Sequence, residues 1–174
     1  ILQRIELSNE AYERIVEYCR DKGITFLCSA FDAASADYTE SLGVPAFKVA
    51  SADLTNIPLL DHLVQKGKPL ILSTGMSRMD EVEFTVEFLK SKNAKFALLH
   101  CNSTYPAAFE DINLRFMDQL RKFDVPVGYS GHERGIAVST VAAAMNGCII
   151  ERHLTLDRTM DGPDHAASLE PHGF

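Results

Sequence analysis

Residues 96–103 read Phe96-Ala97-Leu98-Leu99-His100-Cys101-Asn102-Ser103. An apolar run that turns polar only at its end describes a strand buried on both faces, with hydrophilic groups at its C-terminal tip. Five further β-rich runs behave alike: Ile24 to Cys28, Ala46 to Ala50, Pro69 to Leu72, Val125 to Tyr129 and Cys148 to Leu154. They begin about every 21 to 29 residues, a spacing of strand-plus-helix units. Between them lie helical patterns. Asn9 to Lys22 follows Ser8 as N-cap and stops at Gly23. Arg78 to Lys92 opens on Ser77 and Asp80 in capping-box spacing and puts Val82, Val86 and Leu89 on one face. Shorter helices fit Ser35 to Leu42, Pro58 to Lys66, Leu114 to Phe123 and Ile136 to Asn146.

Strict alternation of strands and helices predicts an α/β fold with a parallel sheet covered by helices. The sheet is either open and doubly wound or closed into a barrel. No G-x-G-x-x-G follows the first strand and no G-x-x-x-x-G-K occurs, which removes support from the nucleotide-binding open sheets. Polar groups instead close every strand: Ser29 and Asp32, Lys48 and Ser51, Ser73 and Thr74, His100 with Asn102 and Ser103, Ser130 and His132, Glu151 and His153. An open sheet gathers its ligand at one switch point and needs such residues on two or three strands. A ring of polar strand ends fits a (β/α)8 TIM barrel, where all of them surround one site.

The composition suits that architecture. A chain of 174 residues, 46% hydrophobic and 24% charged, can bury one sizeable core. No apolar run approaches the roughly 18 residues of a membrane span. Ile1 to Glu10 lacks a basic segment followed by an apolar one, so a cytoplasmic location is expected, with no membrane partner. A formal charge of -7 argues against nucleic acid as a partner. It leaves room for an anionic substrate if a few cations share one cleft. Cys19, Cys28, Cys101 and Cys148 are widely spaced without a C-x-x-C, and are read as buried free thiols.

Several constellations have both a plain and a chemical reading. His132 and His153 close successive strands, which are neighbours in a right-handed progression. They are either hydrogen-bonded loop histidines or ligands of one divalent metal, and a period of two puts Ser130 with His132 and Glu151 with His153 on common faces. Two imidazoles would leave positions for water and substrate oxygens, which suits a Lewis acid. Lys48 lies in an apolar run, where its ammonium has a desolvation cost unless it meets an anion. It is either a snorkelling edge lysine or an anchor for phosphate or carboxylate. Ser51, Ser73, Thr74 and Ser103 add hydroxyls near it, and Gly75 allows close backbone approach. A single such serine is usually a turn or cap residue, and the recurrence at equivalent strand ends carries the weight. His62 and His172 read as surface residues.

Beyond these patterns, Lys48-Val49-Ala50-Ser51, Leu72-Ser73-Thr74-Gly75-Met76, His100-Cys101-Asn102-Ser103-Thr104-Tyr105-Pro106, Gly128-Tyr129-Ser130-Gly131-His132, Glu151-Arg152-His153-Leu154-Thr155-Leu156-Asp157 and Gly162-Pro163-Asp164-His165 through Pro171 occur in order. This series resembles the sialic acid synthase family over nearly the whole chain.

The resemblance implies a barrel that condenses phosphoenolpyruvate with an N-acylated hexose such as N-acetylmannosamine, releasing phosphate and a nonulosonic acid, with Mn2+ or Mg2+ as cofactor. It implies that Ser29, Lys48, Ser51, Ser73, Ser103, Tyr105 and Ser130 surround phosphoenolpyruvate, with Lys48, Glu151 and Tyr105 as the catalytic set. His132 and His153 would hold the metal, and Asp53 and Asp164, with Glu151, would meet sugar hydroxyls. The departures are informative. Six βα units align with the family's third through eighth strands, so residues 1–174 are expected to form a partial TIM-barrel domain. The acidic residue and second lysine of the family's first two strands have no counterpart here. Nor does the C-terminal antifreeze-like domain, which in a homodimer lends an arginine across the interface. Ser103 stands where some members carry Asn. The same motifs fit synthases for legionaminic, pseudaminic or spore-coat sugar acids, and a non-catalytic phosphate- or metal-binding domain is the remaining alternative.

Overall fold

Parallel strands can be neighbours only if the chain returns across the sheet between them, and here helices make each return. The computed structural model describes residues 6–174, so the stretch read for a leader begins outside them. Two helices, α1 (Asn9–Asp21) and α2 (Ala33–Ser41), precede β1 (Phe47–Val49). Then follow α3 (Ile57–Gln65), β2 (Leu70–Ser73), α4 (Met79–Ser91), β3 (Phe96–Cys101), α5 (Phe116–Arg121), β4 (Val127–Gly131), α6 (Ala137–Ala144) and β5 (Ile150–Arg152). The strands lie in the order β1-β2-β3-β4-β5, all parallel. A doubly wound sheet reverses its order at a switch point, whereas one that advances without reversal is a barrel wall.

One ion pair measures how far the wall curls. In a flat sheet β1 and β5 would be separated by four strand spacings, on the order of 19 Å. Lys48 Nζ on β1 nevertheless stands 3.7 Å from Glu151 Oε1 on β5. The two outermost strands therefore face each other across a curved half-barrel.

Alternation along the strands sorts the side chains into two layers. Phe47, Val49, Leu70, Leu72, Phe96, Leu98, Val127 and Tyr129 point outward. They pack in one apolar core with Ala36, Leu60, Leu63, Val82, Val86, Leu89, Met117, Leu120 and Ala142 of the helices. The other row, Lys48, Ser73, Cys101, Ser130 and Glu151, faces the concave side. Local signals set the helix ends. Ser8 Oγ accepts from the Ala11 N–H at 3.3 Å and Gly23, at φ +68°, follows α1. Asp32, read as a strand-end group, is instead the cap of α2 and accepts from the Ser35 N–H at 2.7 Å. The cap of α4 is Arg78 rather than Ser77, with Glu81 Oε2 accepting from the Arg78 N–H at 2.7 Å.

The expected sixth strand is the main correction. Ile24 to Cys28 forms no strand, and only Ser29 makes a parallel bridge, to Lys48. Ile24 is 63% exposed, and no described strand lies on that segment's far side to complete its pairing. The cysteines are free, yet only Cys101 is buried; Cys19 and Cys28 are half-buried and Cys148, beside the edge strand β5, is exposed. Among the described residues no helix is long and apolar enough to cross a membrane.

Candidate active site

The concave row opens into a cavity of about 390 Å3 at the C-terminal ends of the strands. Ser29, Lys48, Ser51 and Ser73 line one side, and Ser103, Tyr105, Ser130, His132, Glu151 and His153 complete it. Residues 124 positions apart in sequence thus share one chamber, as the ring of polar strand ends requires. Lys48 Nζ donates to Ser73 Oγ at 2.9 Å and to the Val49 carbonyl at 3.0 Å. Glu151 Oε1 accepts from Ser130 Oγ at 2.7 Å. Burial pushes the Lys48 ammonium below its usual range, and the Glu151 carboxylate beside it pulls the other way. A second anion arriving here finds a desolvated cation and a set of hydroxyls already aimed inward. Gly75 makes the crowding possible: a Cβ on it would overlap Ser103 Oγ and lie 2.8 Å from Ser51 Oγ.

His132 and His153 stand across the cavity with ring centroids 5.0 Å apart and planes at 72°. Tyr105 stacks on His132 at 3.9 Å and meets His153 edge-on at 5.5 Å. Burial lowers the pKa of His132 and of His153, and the neighbouring His132 lowers His153 further. Both rings are therefore neutral at pH 7. His132 Nδ1 lies 2.6 Å from the Asn102 carbonyl oxygen. A neutral ring meets a carbonyl only by donating, so Nδ1 carries the proton and Nε2 keeps its lone pair. Asp164 Oδ2 is 3.7 Å from His153 Nδ1. Burial is also the first cause that raises the Tyr105 hydroxyl to about 12, with Cys101, Asp164 and Glu151 adding to it, so the phenol keeps its proton.

Three of the residues expected at the site, Asp53, Asp164 and Thr74, stand apart from this lining. Asp53 sits in the 3-10 turn Ser51–Asp53 and accepts from Asn56 Nδ2 at 2.9 Å, beside the N-cap of α3. Asp164 touches the site only through His153. Thr74 turns away and donates to the Leu99 carbonyl at 3.1 Å. His62 pairs with Asp37 at 2.7 Å, and the His172 side chain is 79% exposed. Cys101 and Met76 line the cavity without having been singled out. Cys101 was legible as the last inward position of β3 by the same period of two that selected Ser130. Asn102 was read as a polar strand-end group, and it meets His132 through its backbone carbonyl.

Fold and site together define a sector of a (β/α) barrel with one polar chamber at the C-terminal rim. The chain belongs to the NeuB family, which matches residues 1–174. It is 42% identical over 171 residues to human N-acetylneuraminate-9-phosphate synthase, covering 97% of this chain and 48% of that protein. It is equally 42% identical over 177 residues to the N,N'-diacetyllegionaminic acid synthase of Legionella pneumophila, covering 98% and 50%. Among solved structures, the sialic acid synthetase of Leptospira borgpetersenii, in complex with citrate, superposes with a TM-score of 0.93 at 37% identity, covering 97% and 59%. The chain spans about half the length of the curated relatives it matches.

Proposed function

We propose that these residues form the phosphoenolpyruvate-binding part of a synthase that condenses phosphoenolpyruvate with an N-acylated hexose of the N-acetylmannosamine type. The products are a nonulosonic acid and phosphate. The observation that carries this reading is the placement of a lysine-and-serine cradle and a neutral imidazole pair on opposite sides of one chamber. The sialic-type and legionaminic synthase names of the relatives support the same reaction class.

In this reading Lys48, Ser51, Ser73 and Ser130 hold the carboxylate and phosphate of phosphoenolpyruvate, so that its C3 carbon faces the open-chain aldehyde at attack distance. Glu151, at 3.7 Å, neutralises Lys48 until the substrate anion takes over that role. The C3–carbon bond forms as the enol pushes electrons into the aldehyde, whose oxygen becomes a hydroxyl. Water adds at C2, the C2–O bond to phosphate breaks, and the remaining C2 hydroxyl loses its proton to give the ketone. The Glu151 carboxylate is placed to receive a proton on this side of the chamber, and the Tyr105 phenol to donate a hydrogen bond on the other. The donor set suits a divalent cation: His132 presents an unprotonated Nε2, and two nitrogen ligands favour Mn2+ over the oxygen-seeking Mg2+. Bound by His132 and His153, such a cation supplies Lewis-acid polarisation of the aldehyde. Among the described residues no group of three metal-ligating side chains occurs, so His132 and His153 would leave most of such a cation's positions open to other oxygen donors.

Phosphate release by the full natural chain decides the matter. With phosphoenolpyruvate and Mn2+, release should depend on adding N-acetylmannosamine or a di-N-acetylated hexose, and the sugar that works names the acceptor. Tight phosphoenolpyruvate binding without release for any N-acylated hexose would replace the synthase by a binding domain.

A further inference from the structure

Behind the two histidines lies a buried ion pair that the chemistry above leaves unused. Glu133 follows His132 and Arg152 precedes His153, and both turn away from the chamber toward α6. Their side chains are 0% and 3% exposed. Arg152 Nη1 donates to Glu133 Oε1 at 2.8 Å, to the Gly135 carbonyl at 2.7 Å and to Ser139 Oγ at 2.8 Å. Its Nη2 donates to the Glu133 carbonyl at 2.5 Å and reaches the Ala167 carbonyl at 3.5 Å. The second carboxylate oxygen, Oε2, accepts from the Tyr129 hydroxyl at 2.7 Å. One guanidinium thus ties β5 to the end of β4, the first turn of α6 and the turn at 165–167.

Packing alone does not account for such a pair. Two charges withdrawn from water stabilise a fold no better than apolar side chains of the same size. A planar fork supplies direction, because its donors engage several acceptors in one geometry. The register shows what that direction governs. Gly131 pairs with Arg152 across β4 and β5, so the next residues on each strand are His132 and His153. Each imidazole is the immediate chain neighbour of one member of the pair.

We propose that Glu133 and Arg152 are positioning residues, which lock the ends of β4 and β5 so that His132 and His153 keep the separation at which both can bind one cation. This rests on the reading of those histidines as cation ligands. The test is Mn2+ titration of the full natural chain, followed by the electron paramagnetic resonance of free Mn2+, alongside thermal melting. In the double variant Glu133→Gln with Arg152→Met no charge is left unpaired and Gln still accepts from Tyr129. It should melt near the parent temperature yet bind Mn2+ at least about tenfold more weakly. Arg152→Lys keeps the charge and loses the fork, and should weaken Mn2+ about threefold or more, which decides the matter if the double variant does not fold. A folded double variant, or in its absence Arg152→Lys, that binds Mn2+ within about twofold of the parent overturns the positioning role. His132→Ala separates the two readings: if it alone loses Mn2+, the histidines are ligands and the pair is only structural. If it too binds like the parent, the histidine reading falls and the positioning role with it.

Discussion

Lys48 extends from a strand whose flanking residues, Phe47 and Val49, are buried in the apolar core. The same alternation that sends those two outward delivers the ammonium to the chamber, where Ser73 and the Val49 carbonyl hold it. Replacing Lys48 by Met preserves most of the stem volume and removes the charge. In the full natural chain it should raise the phosphoenolpyruvate KM or lower kcat by about tenfold to a hundredfold, with little change in melting temperature. Kinetics within about twofold of the parent would assign the lysine to packing alone. His100 makes the opposite case of a strand-end group that leaves the chamber. Its Nε2 lies 2.5 Å from the Ile112 carbonyl, its ring tilts over Phe116, and burial lowers its pKa. In the unfolded chain the same imidazole takes up its proton at about pH 6.5, so the unfolded state is protonated first and stability falls as pH drops through that value. Comparing melting temperatures at neutral pH and about one and a half units lower should give a smaller drop in His100→Gln than in the parent.

At the scale of elements, the contact between β4 and β5 depends on a glycine. A Cβ on Gly128 would overlap the Ile149 carbonyl and lie 2.7 Å from Leu99 Cδ2. That carbonyl accepts from the Tyr129 N–H at 2.8 Å, so neither strand can retreat without losing a ladder bond. Gly128→Ala should destabilise the fold by about 1–3 kcal/mol in denaturant titration, by overpacking rather than by backbone strain. A neutral substitution would mean that β5, an edge strand among the described residues, is free to shift. Helices were the elements most legible in the sequence, because caps and apolar stripes are local. Ser8 caps α1 as its spacing predicts. Two helix starts moved: Asp32 caps α2 by accepting from the Ser35 N–H, and at α4 it is Glu81 that accepts from the Arg78 N–H, one residue beyond the expected Ser77.

For the whole molecule, curvature is what makes the site. The Lys48 and Glu151 contact exists only because β1 and β5 have swung toward each other. A closed barrel has no unpaired strands, whereas the five described strands leave the β5 edge, and all of the β1 edge but the Ser29 to Lys48 bridge, without a ladder partner. A protein consisting of residues 1–174 alone should therefore melt low, self-associate on concentration and release little phosphate, measured by calorimetry, light scattering and the assay above. A monomer with full turnover would refute that expectation. The polar strand ends, the order of the βα units and the resemblance over motifs from Lys48 to Pro171 were all in the sequence, because each depends on residues near one another along the chain. Only the tertiary structure decided the rest. Ile24 to Cys28 has the composition of a strand, but a strand exists only where a neighbour's ladder bonds run along it, and beyond the single Ser29 to Lys48 bridge this segment has none, which is a property of distant residues. Likewise Glu133 and Arg152, 19 positions apart, became a pair only when register set Gly131 beside Arg152. Alternation assigned each side chain a face, while pairing distance and curvature, which no local pattern encodes, chose which of those side chains meet.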